Sequence, residues 1–132
     1  MDIEILKIAS DTRNHKVLDK CTHKSKQKNS ICGDEMEISI KVSKNQILDF
    51  GYQCKSCIFC QASASVLSNF SINNKISNID KAISFFENFF KNDVTRIPKE
   101  FKKFEVLFQK SNLSRKDCIL LPFKALNKAL KS

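Results

Sequence analysis

The chain has 132 residues, of which 42% are hydrophobic and 11 are Phe, with only two Gly and two Pro. That is enough apolar side chain for a core without disulfides, which excludes a disulfide-stapled miniature fold, a collagen-like chain and Gly/Pro-rich linkers. A formal charge of +9, from 23 Lys and Arg against 14 acids, favours anionic partners, and no apolar run approaches the ~18 residues of a membrane span. The opening Met1-Asp2-Ile3-Glu4 has no signal-peptide hydrophobic region, so a bacterial-type cytoplasmic location without membrane contact is expected. Length predicts one domain over 1–132.

Residues 3–9 read as a short helix. Residues 11–31 are polar and Lys-rich, a loop with room for an edge strand whose lysines would resist edge pairing. Residues 35–42 alternate, with Met36, Ile38, Ile40 and Val42 on one face. Residues 47–54 alternate too, grouping Leu48, Phe50, Tyr52 and Cys54. A three-residue turn at 44–46 opposes Val42 to Leu48, Ile40 to Phe50, Ile38 to Tyr52 and Met36 to Cys54. A two-residue turn at 44–45 would set Ile40 against Asp49, so the longer turn is expected. The register continued outward crowds Cys32, Asp34 and Cys57 at one end of the hairpin.

Helices follow. Residues 58–69 are rich in Ala and Ser. Ser77-Asn78-Ile79-Asp80 has the pattern of a capping box opening a helix to about Lys91. Pro98 is expected to start a helix carrying Phe101, Phe104, Val106 and Phe108. Ser114-Arg115-Lys116-Asp117 reads as a second capping box for the last helix, inside which Pro122 is placed to bend it. Strands first and helices after give an α+β fold, a small antiparallel sheet of two to three strands with several helices on one face.

Six Cys without an export signal point to metal ligands, reactive thiols or core residues. The hairpin end offers Cys32, Asp34 and Cys57, and a tetrahedral site takes one more donor. Cys118 is the one Cys outside the N-terminal half; with Ser114 as N-cap it falls at the fourth helical position, where the helix dipole favours thiolate. The expected metal and cofactor donors are therefore Cys32, Asp34, Cys57 and Cys118. Cys54, on the apolar strand face, Cys60, one turn after Cys57, and Arg115, able to pair with Asp34 or orient Cys118, are auxiliary candidates. Cys21 and His23 sit in the basic loop.

Ile31-Cys32-Gly33-Asp34, the hairpin, and Cys57 followed by Gln61-Ala62-Ser63-Ala64-Ser65 resemble the NifU N-terminal, IscU and SufU family of iron–sulfur cluster assembly proteins. Asp11-Thr12-Arg13-Asn14 echoes the family's Asn-Pro-Arg-Asn. The resemblance spans roughly residues 3–129 and implies a SufE/NifU-like fold. It also implies a scaffold that builds a transient [2Fe–2S] cluster on Cys32, Asp34, Cys57 and Cys118. Sulfur would come from a cysteine desulfurase, and the cluster would pass to apo iron–sulfur proteins; Zn²⁺ is held at the same ligands in many members. The sequence departs from the family at Asp117, where IscU proteins have His, at Ser56, where Gly is usual, and in lacking the chaperone-docking Leu-Pro-Pro-Val-Lys.

Arg115, three residues before Cys118, is more like SufU. The alternative function is thus a zinc-dependent sulfurtransferase in which Cys118 or Cys57 accepts persulfide sulfur. A basic zinc module binding nucleic acid is a remote third reading, disfavoured because Cys54-x2-Cys57 has no second, separate CxxC pair elsewhere in the chain and Arg is scarce. The sequence leaves monomer and homodimer both open.

Overall fold

Alternation and helical periodicity organise the chain around one hairpin. A computed structural model describes residues 3–29, 33–91 and 96–131. Helix α1 (Ile3–Ser10) opens the chain and strand β1 (His23–Lys28) follows. The hairpin β2 (Glu35–Ser43) and β3 (Gln46–Lys55) leads into α2 (Ile58–Ser71), the short β4 (Asn74–Lys75) and α3 (Ile76–Glu87). Two 3₁₀ turns, Lys99–Phe104 and Lys110–Arg115, lead into α4 (Lys116–Leu130). Among the described residues the sheet is antiparallel with four strands in the order β1-β2-β3-β4, rather than two or three. The strand beyond that expectation is the short β4, which pairs through Lys75 and Gln46 alone.

The hairpin keeps most of the expected register: Ile40 opposes Phe50, Ile38 opposes Tyr52 and Met36 opposes Cys54. Its turn is different. Lys44 and Asn45 both have positive φ, 51° and 63°, so the loop is a two-residue turn of the kind whose twist matches the strands. Val42 therefore pairs with Ile47, and a bulge between Lys41 and Val42 restores the register further along. Leu48 is left out of the ladder and is exposed, while Ile47 is buried in its place.

α2 and α4 cover the inner sheet face, α4 against β1 and β2 and α2 against β3. Met36, Ile38, Ile40, Phe50 and Tyr52 meet Ala62, Ala64 and Leu67 of α2 and Ile119, Phe123 and Leu126 of α4 in one buried core. Two hydroxyls tie these layers: Ser63 donates to the Ile119 carbonyl at 2.6 Å and Ser25 donates to that of Ala125. The outer face is charged. Glu37 pairs with Lys24 at 2.9 Å and Lys26 at 3.8 Å, and Glu35 pairs with Lys28 at 3.7 Å. β1 is an edge strand studded with Lys, as the composition of 11–31 allows.

The helix starts differ from those expected. α3 begins at Ile76 with Lys75 at the N-cap, so Ser77 lies inside it and no side chain caps it. Asn74 organises that entry, its Oδ1 accepting from the Lys75 N–H and the Asn78 side chain. Pro98 precedes a 3₁₀ turn, not an α-helix. The turn is kinked at Phe101, and the rings of Phe101 and Phe104 both pack on Phe86 of α3, at 5.7 and 4.8 Å between centroids. Ser114 lies within the second 3₁₀ turn, which runs into α4 with Arg115 at its N-cap. Cys118 is thus the third helical residue, not the fourth. α4 continues through Pro122 to Leu130.

Gly51 marks where the segment after α1 crosses the outer sheet face. A Cβ there would sit 2.6 Å from the Lys16 carbonyl oxygen and 3.2 Å from Leu18 and Ser39. The nearest atom is backbone and cannot rotate aside. Gly51→Ala should destabilise the fold by about 1–3 kcal/mol in urea unfolding. A change below about 0.5 kcal/mol would mean that the 16–18 strand cover shifts freely.

Candidate metal centre

Three separate elements deliver donors to one end of the sheet. Asp34 stands immediately before β2. Gly33 precedes it at φ +73°, a conformation that glycine adopts without strain, and its N–H donates to the Asn29 carbonyl at 2.8 Å. The Asn29 N–H in turn donates to the Asp34 carbonyl at 2.8 Å, closing the β1–β2 connection. Cys57 follows β3 as the N-cap of α2, in an extended conformation. Cys118 lies in the first turn of α4. A carboxylate oxygen of Asp34, Cys57 Sγ and Cys118 Sγ lie within 4.8 Å of one another. Asp34 and Cys118 are 7% and 6% exposed and Cys57 is half-buried, so the cluster is enclosed but reachable. Cys32 lies outside the described residues.

The donor chemistry fits a thiophilic metal. Two sulfurs on one tetrahedral zinc sit about 3.8 Å apart, given Zn–S of about 2.3 Å. A 4.8 Å spread needs only small side-chain rotations to reach that. Thiolates also suit iron–sulfur clusters. The starts of α2 and α4 converge here, so two helix N-termini turn their partial positive charge toward anionic sulfur.

The auxiliary candidates separate by burial. Cys60 is fully buried, and desolvation pushes its thiol well above the ordinary range, with nearby Cys54, Asp34 and Cys57 adding to the rise. Cys54 is half-buried and shifted upward, again chiefly by desolvation. The Ser56 hydroxyl offsets part of both shifts, although it is buried without a hydrogen bond of full geometry. The Arg115 guanidinium lies over the Phe59 ring, 5.5 Å from its centroid. Cys21 is exposed beyond the far end of β1, away from the cluster. His23 lies on β1 itself, its Nδ1 2.8 Å from the Thr22 hydroxyl.

A polar strap behind the site has no signal in the sequence except the echo at 11–14. Asn14 is buried; its Nδ2 donates to Ser68 Oγ at 2.9 Å and to Asn69 Oδ1 at 3.0 Å. The Asn14 carbonyl accepts from the Tyr52 N–H at 3.0 Å, and the Ser65 hydroxyl donates to the Asp11 carbonyl at 3.0 Å. This fastens the second half of α2 to β3 at Tyr52. A hydrogen bond from Arg13 holds the Asp11 carboxyl below the usual carboxylate range.

His15 stacks on Tyr52, with 5.1 Å between ring centroids. Burial pushes the Tyr52 hydroxyl to about 12, with smaller contributions from Cys54 and Asp11. Tyr52 is the sole tyrosine, so tyrosinate absorbance reads it alone. The expected midpoint is about 12 instead of 10. The unfolded chain releases this proton first, so stability is lost as pH rises from 10 through 12. A midpoint near 10 in the folded protein would contradict the buried placement.

Among the described residues, no helix is long and apolar enough to cross a membrane. Residues 2–131 match the model of the NifU-like N terminal domain. The iron–sulfur cluster assembly scaffold protein IscU of Thermotoga maritima is 28% identical over 128 residues, covering 96% of this chain and 89% of that protein. The crystal structure of a nitrogen-fixing NifU-like protein (N-terminal) from Brucella abortus superposes with a TM-score of 0.89 at 19% identity, covering 98% of this chain and 91% of that one. A putative scaffold protein for the SUF system from Fervidobacterium islandicum superposes at 0.87 with 21% identity, covering 98% and 96%. With fold, motif and near-complete coverage in agreement, the chain belongs to the NifU-like N-terminal domain family.

Proposed function

We propose that this protein is a scaffold on which a transient [2Fe–2S] cluster is assembled and from which it passes to apo-proteins. The observation that carries the reading is the meeting of Asp34, Cys57 and Cys118 at a reachable end of the sheet. Cys32, two residues before Asp34, is the proposed fourth ligand. A cytoplasmic cysteine desulfurase would supply the sulfur. A cluster core with four anionic ligands carries about −2 charges, which a chain of +9 accommodates.

Asp34 is a harder and weaker donor toward cluster iron than a thiolate, and in this reading it keeps the cluster releasable. Asp34→Ala should slow transfer to an apo-ferredoxin by about tenfold or more. Unchanged transfer kinetics would remove that role. The scaffold reading itself is tested by anaerobic reconstitution with iron and a desulfurase–cysteine system. A visible chromophore that moves to apo-ferredoxin is the expected result. No chromophore in the wild type, with iron and sulfide both supplied, would overturn it.

A second reading is favoured by the exposure of Cys57 beside a buried Cys118. A bound Zn²⁺ at these donors would hold both thiols as thiolates. Cys57 or Cys118 would then accept persulfide sulfur as in a SufU-type sulfurtransferase. Tightly held zinc, stimulated desulfurase turnover and no chromophore would select it.

A further inference from the structure

Cys60 stands outside the donor set, yet it shares a helical turn with one of the donors. Cys57 is the N-cap of α2 and Cys60 is the third residue within it. The Gln61 N–H donates to the Cys57 carbonyl at 3.1 Å and closes that turn. Cα atoms three residues apart in a helix are separated by about 5 Å, inside the span of about 4.4–6.8 Å that a disulfide bridges. Side chains at the N-cap and the third helical position face each other across the first turn. The two thiols differ in access: Cys57 is half-buried at the mouth of the cluster and Cys60 is 0% exposed. An accessible thiol followed at CxxC spacing by a buried one, at a helix start, is the arrangement of a dithiol redox pair.

We propose that Cys60 is the resolving thiol for a persulfide carried on Cys57, and that the pair releases sulfide directly at the metal centre. This rests on the scaffold reading, because sulfide is what a [2Fe–2S] core consumes. A persulfide donor first passes one sulfane sulfur to the Cys57 thiol and departs as a thiol. Cys60 Sγ then attacks Cys57 Sγ. The bond from Cys57 Sγ to the outer sulfur breaks, and that sulfur leaves with the electron pair as hydrosulfide. The Cys60 proton ends on the departing sulfide, and a Cys57–Cys60 disulfide forms. The sulfane sulfur gains two electrons, and the two cysteine sulfurs together lose two. An external dithiol of the thioredoxin kind restores both thiols by exchange. While the disulfide stands, Cys57 is withdrawn from the donor set, so sulfide release and cluster holding alternate on one sulfur atom.

The test mixes the reduced full chain anaerobically with glutathione persulfide and follows sulfide, whole-protein mass and peptide maps. The wild type should release about one equivalent of sulfide per chain and lose two hydrogens in a Cys57–Cys60 crosslink. Cys60→Ala and Cys60→Ser should retain the extra sulfur on Cys57 and release sulfide at least about tenfold more slowly. Equal release by those variants overturns the proposal, as does a crosslink from Cys57 to Cys54 or Cys118, or a glutathionylated Cys57.

A measurement on the wild type alone guards against misfolded variants. Equilibration in dithiothreitol redox buffers should show a reversible Cys57–Cys60 disulfide with the circular dichroism unchanged, and its absence overturns the proposal. Reconstitution from iron and added sulfide separates the two ideas. A chromophore in wild type and Cys60→Ala alike, with persulfide-driven sulfide lost only in the variant, supports both. No chromophore in the wild type removes the scaffold reading, whatever Cys60 does.

Discussion

Cys118→Ser is expected to leave the protein folded and to weaken zinc or cluster binding by at least about 100-fold. The thiol lies in the first turn of α4, 6% exposed, with its sulfur inside the 4.8 Å cluster of donors. A serine hydroxyl fits the same space, but it stays neutral at physiological pH and is a hard, weak donor for thiophilic metal. The loss also leaves Asp34, Cys57 and the proposed ligand Cys32 one donor short of a tetrahedral site. Chelator competition measures the zinc affinity, visible absorbance the cluster, and circular dichroism the fold. Cys21→Ser is the matched control, since Cys21 is exposed beyond the far end of β1. Equal losses from both substitutions would show that thiol number, not position, governs binding.

The largest expected loss of stability is from Phe86→Ala. Phe86 is fully buried, and its ring centroid lies 4.1 Å from that of Phe108, 4.8 Å from Phe104 and 5.7 Å from Phe123. Truncation removes the ring shared by α3, the first 3₁₀ turn and α4. A cavity of that size costs about 3–5 kcal/mol, a large part of the roughly 5–15 kcal/mol that holds a typical domain together. Denaturant unfolding should show the loss directly. Metal binding should fall with it, because α4 rests on this cluster through Phe123 and carries Cys118. Leu48→Ala, at the bulge, should change stability by less than about 0.5 kcal/mol, since that side chain is 41% exposed. Comparable losses at both positions would mean that the aromatic cluster is not the principal core.

The hairpin was legible because alternation fixes which side chains face inward, and three of the four expected pairs follow from it. Leu48 shows the limit of that argument. It continues the even-numbered alternation through Phe50, Tyr52 and Cys54, and nothing in the residue types marks the bulge that exchanges it for Ile47. Lys44-Asn45 lacks the glycine that usually marks a two-residue turn. Ser77 and Ser114 match the capping-box pattern, yet each sits after helical or 3₁₀ backbone has already begun, so their patterns coincide with helices they do not start. β4 is too short for any periodicity to show.

At the site, the meeting of Asp34 with Cys57 follows from strand register alone. The arrival of Cys118 needed the fold, because its distance along the chain carries no geometric information. Asn14 was the least visible: one polar residue in a polar loop reads as solvated until the partners on α2 are seen.

Those donors also arrive in an order. Asp34 and Cys57 lie in the early hairpin and its exit, whereas Cys118 belongs to a helix that packs back on β1, where Ser25 holds the Ala125 carbonyl. During synthesis the first two donors leave the ribosome well before the third, and long-range docking of that kind is slow to complete. A nascent or truncated chain that ends before Cys118 therefore presents Asp34, Cys57 and the proposed ligand Cys32 but lacks the donor that would complete the site. On the scaffold reading, capture of metal would then be deferred until α4 has been made and docked, and the topology would work as a check on completeness.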